Sequence, residues 1–372
     1  MDLANRDALL ILNAVELLGP VRVRLLVEAF GAPAAALRQP KEALKRVAGI
    51  GEKIAQNIVD GRASFDLDKE KKLIREHGVS VVTPSDDGYP ELLKEIYDPP
   101  VVLYVRGKLS AADRYSVGIV GSRFASHYGT EAARVLSRDL TRRGMTVVSG
   151  MARGIDTAAH EGAIAADGRT VAVLGNGLAR CYPPENKGLM ERIAKRGAVV
   201  SEFPMETIPD RKNFPRRNRI ISGMSLGIVV VEAARRSGAL ITAHHALEQN
   251  RAVFSIPGRI NDASSSGAND LIKQGAKIVT GAGDVIEEFQ YVLPKEMAAP
   301  VRTGPAEQSS VPAAALTDEE RLMHGCLSVD VKPIDELIRE SGFPPARANH
   351  LLLSLELKGC VRQLPGKQFV RC

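Results

Sequence analysis

Short apolar runs alternate with longer helical stretches between residues 115 and 290, and this alternation limits the possible folds more than any other feature. The predicted strands are 117–120, 146–149, 171–174, 198–201, 227–231, 252–256 and 277–280. Helical spacing of apolar residues falls between them, for example at 130–143, 156–166 and 242–249. Such alternation predicts an α/β domain with a mostly parallel, doubly wound sheet. Ligands of such sheets bind at the carboxyl ends of the strands.

The segment before this region predicts a helical domain at 1–78. Its apolar residues repeat at helical spacing, and the turn Gly49-Ile50-Gly51 separates two helices. Two glycines permit a tight turn that leaves backbone N–H groups free at the next helix start, where a DNA phosphate can bind. This pattern is typical of a SAM-like helix-hairpin-helix domain. Packing alone is the other interpretation of the hairpin.

The rest of the chain divides by composition. Residues 79–293 are predicted to form the main domain, with extra strands in 79–108 leading into it. Residues 294–316, rich in Pro, Ser and Ala, are typical of a flexible linker. In 317–372 an N-cap signal at Thr317 begins one helix, and two more helices and a β-hairpin follow, which predicts a winged-helix domain. A winged helix serves protein contact as readily as DNA contact.

Composition limits the environment and the partners. The 372 residues carry a net charge of +6, which favours a polyanionic partner. The four cysteines, at 181, 326, 360 and 372, form no CxxC pair, so neither a disulfide framework nor a zinc site is indicated. The N-terminus does not read as a signal peptide, and no apolar run is long enough for a bilayer. We therefore expect a cytoplasmic protein without membrane contact.

Residues 211–222 are an unusual basic segment between two predicted strands. Five cations surround the single aromatic Phe214, in a chain with only 4% aromatic residues; they are Arg211, Lys212, Arg216, Arg217 and Arg219. Cations around a stacking ring, held on a scaffold, are suited to a phosphate backbone with accessible bases. A solvated basic face is the simpler alternative, and the ring in its midst disfavours it.

Other strand ends carry small residues followed by a helix start, an arrangement that lets backbone N–H groups approach an anion. These candidate anion-binding residues are Gly121, Ser122 and Arg123 in the first loop, Ser149, Gly150, Arg153 and Gly154 in the second, and Ser237, Gly238 and Thr242 in a later one. A glycine-rich stretch at 264–269 starts a further helix. One mononucleotide usually needs one such loop, so several at one sheet edge indicate a run of phosphates. Because only unpaired bases are free to stack, the pattern favours a single strand.

Motifs for catalysis are sparse. No Gly-Lys-Ser/Thr of a P-loop and no HExxH array occurs. The histidines of the α/β region, His127, His160, His244 and His245, are interpreted as structural or surface residues, and the cysteines as packing residues.

The loops together carry a resemblance to a known family. They are Gly-Ser-Arg at 121–123, Ser-Gly-Met-Ala-Arg-Gly-Ile-Asp at 149–156, Phe-Pro-Arg-Arg-Asn-Arg-Ile-Ile-Ser-Gly at 214–223 and Ser-Gly-Ala-Leu-Ile-Thr-Ala at 237–243. Tyr-Pro-Glu-Leu-Leu at 89–93, Asp-Pro-Pro at 98–100 and residues 266–272 add to them. Over about 79–290 the chain resembles the DNA processing protein A family, DprA, also called Smf.

The resemblance implies an extended Rossmann-like domain that binds single-stranded DNA and forms homodimers. It implies that the protein protects incoming strands in natural transformation and helps to load RecA recombinase in place of single-strand binding protein. Members of the family are not known as enzymes, and we expect no cofactor. The implied partners are single-stranded DNA, RecA, a second copy of the chain and, as a further candidate, single-strand binding protein. Contact of the N-terminal or C-terminal domain with duplex DNA is a further candidate interaction.

The resemblance also assigns residues. It implies that Arg123, one of Arg211 and Lys212, and Phe214, Asn218 and Arg219 form the DNA pocket. Within the basic segment, Arg219 and Phe214 are expected to touch the strand. Arg216 and Arg217 are expected to face solvent, although Arg216 is also a candidate DNA contact.

Two alternatives compete with this function. Related Rossmann-like nucleotide phosphoribohydrolases use a PGGxGTxxE motif; aligning Gly238 and Thr242 with it places Ala239 at the second Gly and His245 at the Glu. The catalytic carboxylate is then missing, which argues against hydrolysis. The other alternative is a nucleotide-binding scaffold whose basic loops hold one ligand.

Overall fold

A sheet of nine strands between residues 79 and 278, all of which are described, organises the larger part of the chain. Its strands are β1 (Val79–Val82), β2 (Leu103–Gly107), β3 (Ser116–Val120), β4 (Thr146–Ser149), β5 (Thr170–Val173), β6 (Ala198–Ser201), β7 (Gly227–Val230), β8 (Ala252–Ser255) and β9 (Lys277–Ile278). The computed structural model describes residues 3–298, 316–328, 331–364 and 366–371. Two compact units divide the chain, Met1–Ala299 and Pro300–Cys372.

The strand order is β1-β2-β6-β5-β4-β3-β7-β8-β9. All pairs from β6 to β9 are parallel, whereas β2 pairs antiparallel with both β1 and β6. The direction in which successive strands are added reverses between β3 and β7, so these neighbours form the switch point of the sheet. The predicted extended Rossmann-like sheet is confirmed, and 79–108 supplies the two extra strands β1 and β2.

Helices cover the sheet and precede it. The front contains α1 (Leu3–Ala14), α2 (Pro20–Phe30), α3 (Pro33–Leu37), α4 (Lys41–Leu44), α5 (Glu52–Ser64) and α6 (Leu67–Glu76). The sheet region contains α7 (Glu91–Lys94), α8 (His127–Arg142), α9 (Ile155–Ala165), α10 (Lys187–Arg196), α11 (Asn213–Gly223), α12 (Gly238–Glu248), α13 (Ser266–Lys273), α14 (Ala282–Phe289) and α15 (Lys295–Ala298). Helix α15 occupies the start of the predicted linker 294–316, and most of that prediction, 299–315, lies outside the described residues.

Buried side chains join the helical front to the sheet. Leu12 and Leu26 of the front share one apolar cluster with Tyr104 of β2 and Met205 after β6. The carboxylate of Glu70 accepts a hydrogen bond from the Met205 backbone N–H (3.0 Å). The front and the sheet therefore belong to one compact unit.

The hairpin turn of the front has the expected backbone. Gly49 has a φ of +78°, a left-handed conformation that favours glycine, and Gly51 caps the N-terminus of α5. Arg22 Nε donates to the Gly49 carbonyl (2.9 Å). Glu52, the first residue of α5, pairs with Lys41 and Lys45, so these two cations are neutralised within the protein.

The basic segment 211–222 differs from its interpretation as a loop, because it forms helix α11 from Asn213 onward. Pro215 lies in the first helical turn, where its missing N–H is not needed for intrahelical bonding. The Asp210 side chain accepts from the Lys212 N–H (2.7 Å) just before the helix, and Ile220 and Ile221 are buried under the sheet. On a helix the side chains of Arg216, Arg217 and Arg219 cannot all point to the same side, so they do not form one basic surface.

The second unit has a winged-helix arrangement, as predicted. It contains α16 (Asp318–Cys326), α17 (Ile334–Ser341), α18 (Pro345–Leu357) and the sheet β10 (Lys332–Pro333), β12 (Gln368–Arg371) and β11 (Val361–Leu364), in that spatial order. Thr317 and Glu320 form a capping box, in which the Thr317 N–H donates to the Glu320 carboxylate (2.7 Å).

Across the described ranges, every helix is too short or too polar to cross a lipid bilayer.

Candidate nucleic-acid interface

A cleft of about 600 Å³ opens at the carboxyl ends of β3, β4 and β7. Its walls are the loops after β3 and β4, helix α11, and the segment from β7 into α12. Its described charged lining residues are four arginines and one aspartate: Arg123, Arg211, Arg217, Arg236 and Asp156. The cleft thus lies at the switch point of the sheet and carries an excess of positive charge, which favours an anionic ligand.

Glu232, just after β7, holds the loop 121–126 at both ends. Its carbonyl accepts from the Ser122 N–H (2.7 Å), and its carboxylate accepts from the Ser126 hydroxyl (2.7 Å). Ser126 in turn caps the N-terminus of α8. The short stretch between these two anchor points carries Arg123, which is exposed to the cleft. The loop is therefore fixed in position before any ligand arrives.

Arg123 lies over the ring of Phe214. The guanidinium carbon is 5.0 Å from the ring centroid, within the range of a cation–π contact. Tyr182 packs beside the same ring, with centroids 5.6 Å apart and planes tilted by 31°. A Cβ on Gly175 would come within 2.7 Å of Phe214 Cδ1, so this position accommodates only glycine. Phe214 is thus half-buried and supports the Arg123 guanidinium.

The loop after β4 meets a buried arginine from α11. Arg217 Nη1 donates to the carbonyl of Gly150 (2.7 Å) and to that of Val173. A Cβ on Gly150 would lie 2.3 Å from Nη1, so the guanidinium occupies the space that any other side chain would fill. Gly154, with a φ of +74°, brings the same loop against the carbonyl of Ser122. These close approaches explain both glycines predicted in this loop.

Arg217 is only 4% exposed, so the expectation that it faces solvent is wrong. Burial lowers the pKa of Arg217 to about 10, and the nearby Asp156 carboxylate opposes that change. Burial has the opposite effect on the carboxyl group of Asp156 and raises its pKa, whereas the positive charge of Arg217 lowers it. At neutral pH the guanidinium keeps its charge, at the inner wall of the cleft.

Arg219 lies away from the cleft. Its side chain is 6% exposed and forms ion pairs with Asp98 (2.9 Å) and Glu202 (2.7 Å). Arg216, on the same face of α11, also reaches Glu202 (3.2 Å) and covers the ring of Phe203. Neither Arg216 nor Arg219 lines the cleft, in contrast to the contact expected for Arg219. The reason is that Glu202, only 1% exposed, is a buried carboxylate that needs a cation.

Most of the remaining candidate residues line the cleft, whereas Lys212 and Ser149 do not. Cleft-lining positions are Gly121, Ser122, Arg211, Asn218, Ser237, Gly238 and Thr242. Arg211 therefore lines the cleft, whereas Lys212 is exposed at the N-cap of α11 outside this lining. Asn218 Nδ2 donates to the Gly238 carbonyl (3.2 Å) and so ties α11 to α12. Ser149 is buried and donates to the Ile119 carbonyl (2.6 Å), a bond between β4 and β3.

Arg153 is exposed at a narrower pocket beside Phe214, where it pairs with Glu185. Sequence reasoning missed Tyr182, Glu232 and Arg236 as parts of the site. Arg236 directly precedes the candidate loop residues Ser237 and Gly238 in the sequence, so its position beside them was a usable signal. Tyr182 had none, because it follows β5 by nine residues of irregular chain.

His160, one of the histidines interpreted as structural or surface residues, lies in the core. His160 is fully buried, and its Nδ1–H donates to the Thr170 hydroxyl (2.7 Å), whose own hydrogen goes to the Val147 carbonyl. Burial lowers the pKa of His160 to about 3, so it stays neutral. In the residues that the structure describes, no cluster of His, Cys, Asp and Glu suitable for a metal ion is present.

Comparison with known proteins decides the family. The family model for DNA recombination-mediator protein A matches residues 80–290, more than half of the chain. The chain belongs to this family. A DprA winged helix domain matches 307–367, and a SAM-like helix-hairpin-helix tandem matches 9–63. These matches confirm the predicted resemblance and all three fold assignments.

Relatives of the DprA family extend over most of the chain. Protein Smf of Synechocystis is 34% identical over 96% of this chain and 97% of its own length. Protein Smf of Escherichia coli is 42% identical over 76% of this chain and 75% of its own. The X-ray structure of DNA processing protein A from Streptococcus pneumoniae superposes with a TM-score of 0.68 at 34% identity, covering 77% of this chain and 99% of that one.

A further DprA structure bears on the ligand. DNA processing protein A from Helicobacter pylori, whose structure concerns its single-stranded DNA binding mode, superposes with a TM-score of 0.52 at 27% identity. It covers 58% of this chain and 97% of the other. Membership of the DprA family and these relatives support a role in DNA processing for this chain.

Proposed function

We propose that this chain binds single-stranded DNA in the cleft at the switch point of the sheet. The observation that carries the proposal is the Arg123 guanidinium stacked 5.0 Å over Phe214 at the mouth of a cleft with three further arginines. Guanidinium groups bind phosphates, and planar groups stack on unpaired bases. The single-strand binding described for the Helicobacter pylori relative supports the same ligand.

Roles for the candidate residues follow from their positions. Arg123, Arg211 and Arg217 supply positive charge to the strand, with Arg211 rather than Lys212 as the contact. Gly121, Ser122, Gly238 and Thr242 form the walls, and Ser149, Gly150 and Gly154 shape them. Arg216 and Arg219 act on stability through Glu202, and Arg153 exchanges its partner Glu185 for a phosphate at the edge of the site.

The cellular role that we propose is recombination mediation during natural transformation. The bound chain protects incoming single strands and helps to load RecA in place of single-strand binding protein. It acts in the cytoplasm as a homodimer and performs no catalysis. The working division is a helical domain at 1–78, the DNA-binding domain at 79–293, a linker at 294–316 and a winged helix at 317–372.

Direct binding tests the ligand. Fluorescence anisotropy should show an oligonucleotide of about 20 nucleotides bound far more tightly as a single strand than as a duplex, with affinity falling steeply as salt rises. Equal affinity for both forms would contradict the proposal. So would tight binding of a single nucleotide together with failure to bind the strand, which would favour the nucleotide scaffold.

Loading of RecA needs its own assay. The rate of RecA filament formation on strands coated with single-strand binding protein should rise when this protein is added. The Arg123→Ala variant is the control, because it keeps the fold and weakens the proposed cleft. An equal rise with both proteins would show that loading does not depend on the cleft.

A further inference from the structure

Phe124 presents an open aromatic face at the cleft that no motif accounts for. It is 91% exposed and lies among the cleft-lining residues directly after Arg123. A single exposed aromatic is common on protein surfaces, so position rather than exposure is informative here. This ring lies at the carboxyl end of β3, within the positively charged cleft.

The loop that carries Phe124 is held rigidly. The backbone N–H of Phe124 donates to the Ser122 hydroxyl (3.1 Å), and the two flanking serines, Ser122 and Ser126, are both bonded to Glu232. A ring on a fixed backbone loses little conformational entropy when a planar ligand stacks on it. Such preorganisation distinguishes Phe124 from an aromatic on a mobile loop.

Phe214, by contrast, offers little free surface. Arg123 lies over its ring, Tyr182 packs at a centroid distance of 5.6 Å, and Gly175 lies against its edge. Its contacts are already made within the protein. A base entering the cleft therefore finds the open face on Phe124.

We propose that Phe124 is a stacking platform, which holds a nucleobase of the strand whose phosphates contact Arg123 and Arg236. This inference rests on the proposed function, since it specifies how the bound strand is arranged. The charge pattern supports it: Arg123, Arg211 and Arg236 line the same cleft, and an aromatic face between cations suits alternating bases and phosphates.

Tryptophan fluorescence gives a direct test because the chain contains no Trp. In the Phe124→Trp variant the new indole is the sole tryptophan, and stacking of a base should quench its emission as an oligothymidylate is added. Tyr291→Trp is the matched control: Tyr291 is 93% exposed and lies outside the cleft lining. Its emission should not change.

Affinity gives the second readout. Phe124→Ala should weaken binding of oligothymidylate about fivefold or more while leaving the salt dependence unchanged, because a stacking contact is lost and no phosphate contact. Tyr291→Ala should bind as the unmodified protein does. Unquenched emission in a Phe124→Trp variant that still binds, or unchanged affinity of Phe124→Ala, overturns this inference alone. Failure of the unmodified protein to bind any single strand overturns the proposed function as well.

Discussion

Arg217 Nη1 donates a hydrogen bond to the carbonyl of Gly150 across 2.7 Å, and the two residues share a space that would otherwise hold a side chain at position 150. The contact joins helix α11 to the loop after β4 and places a buried positive charge at the inner wall of the cleft. The Arg217 guanidinium can keep this position only while residue 150 has no side chain.

Gly150→Ala should therefore displace the Arg217 guanidinium, because the added Cβ would lie 2.3 Å from Nη1. We expect a loss of stability of about 1–3 kcal/mol from overpacking, together with weaker binding of single-stranded DNA. Denaturant unfolding and anisotropy measure the two effects. Gly188→Ala is the control, since no atom lies within 4 Å of its added Cβ. Equal behaviour of both variants would contradict the close packing.

Arg219→Ala should act on stability. The change leaves Glu202 buried with only the partly exposed Arg216 as a partner, at a cost of about 3 kcal/mol in the free energy of unfolding. Arg216→Ala, which keeps the inner pair, should cost about 1 kcal/mol or less. Folded Arg219→Ala protein should keep the salt slope of DNA binding. A flatter slope would place Arg219 on the strand.

Arg123→Ala should weaken binding to all sequences alike and lower the slope of log affinity against log salt by about 1, because one phosphate contact is lost. Anisotropy over a salt series measures the slope. Arg192→Ala, which removes an exposed cation of α10 outside the cleft lining, should leave it unchanged. A shared reduction in both variants would indicate a general charge effect.

Phe214→Leu keeps an apolar side chain beside Gly175 but removes the ring under Arg123. Loss of the cation–π contact should weaken single-strand binding by about 0.5–1 kcal/mol, with the salt slope preserved. The measurement is the same salt series. A lower slope would mean that Arg123 also loses its phosphate contact when the ring beneath it is removed.

His160 should make stability depend on pH. Its pKa of about 3 in the folded protein is below the unfolded value of 6.5, so the unfolded chain binds more protons between these values. The stabilisation is present above pH 6.5 and is lost as pH falls. From pH 7 to pH 5 the protein should lose about 2 kcal/mol more than the His160→Gln variant. His244→Gln, at an exposed position, should match the unmodified protein; parallel curves for His160→Gln would contradict the buried neutral ring.

The sheet was predictable because its signal is local and repetitive. Short runs of β-branched residues between helices favour buried strands, and β4 and β6 have the predicted bounds. The strand predicted at 277–280 ends at Ile278, since Thr280 is drawn into the cap of α14 by Asp284. Such side-chain competition depends on a contact that periodicity does not record.

The basic segment shows where sequence reasoning fell short. As a helix, α11 places Arg216 and Arg219 three residues apart on one face, toward Glu202, and Phe214 and Arg217 on another, toward the cleft. Interpreted as a loop, the segment offered no basis for this division. The partner Glu202 lies well before the helix in the chain, so the pull on Arg219 was visible only in the fold.

The cleft lies between β3 and β7, so a single DNA strand bound there would contact both halves of the sheet. Residues 121–126 and 232–238 are far apart in the chain, yet they form adjacent walls of one cleft. A ligand that spans both walls links the two halves of the sheet like a cross-link, so amide hydrogen exchange should slow in both segments together on binding.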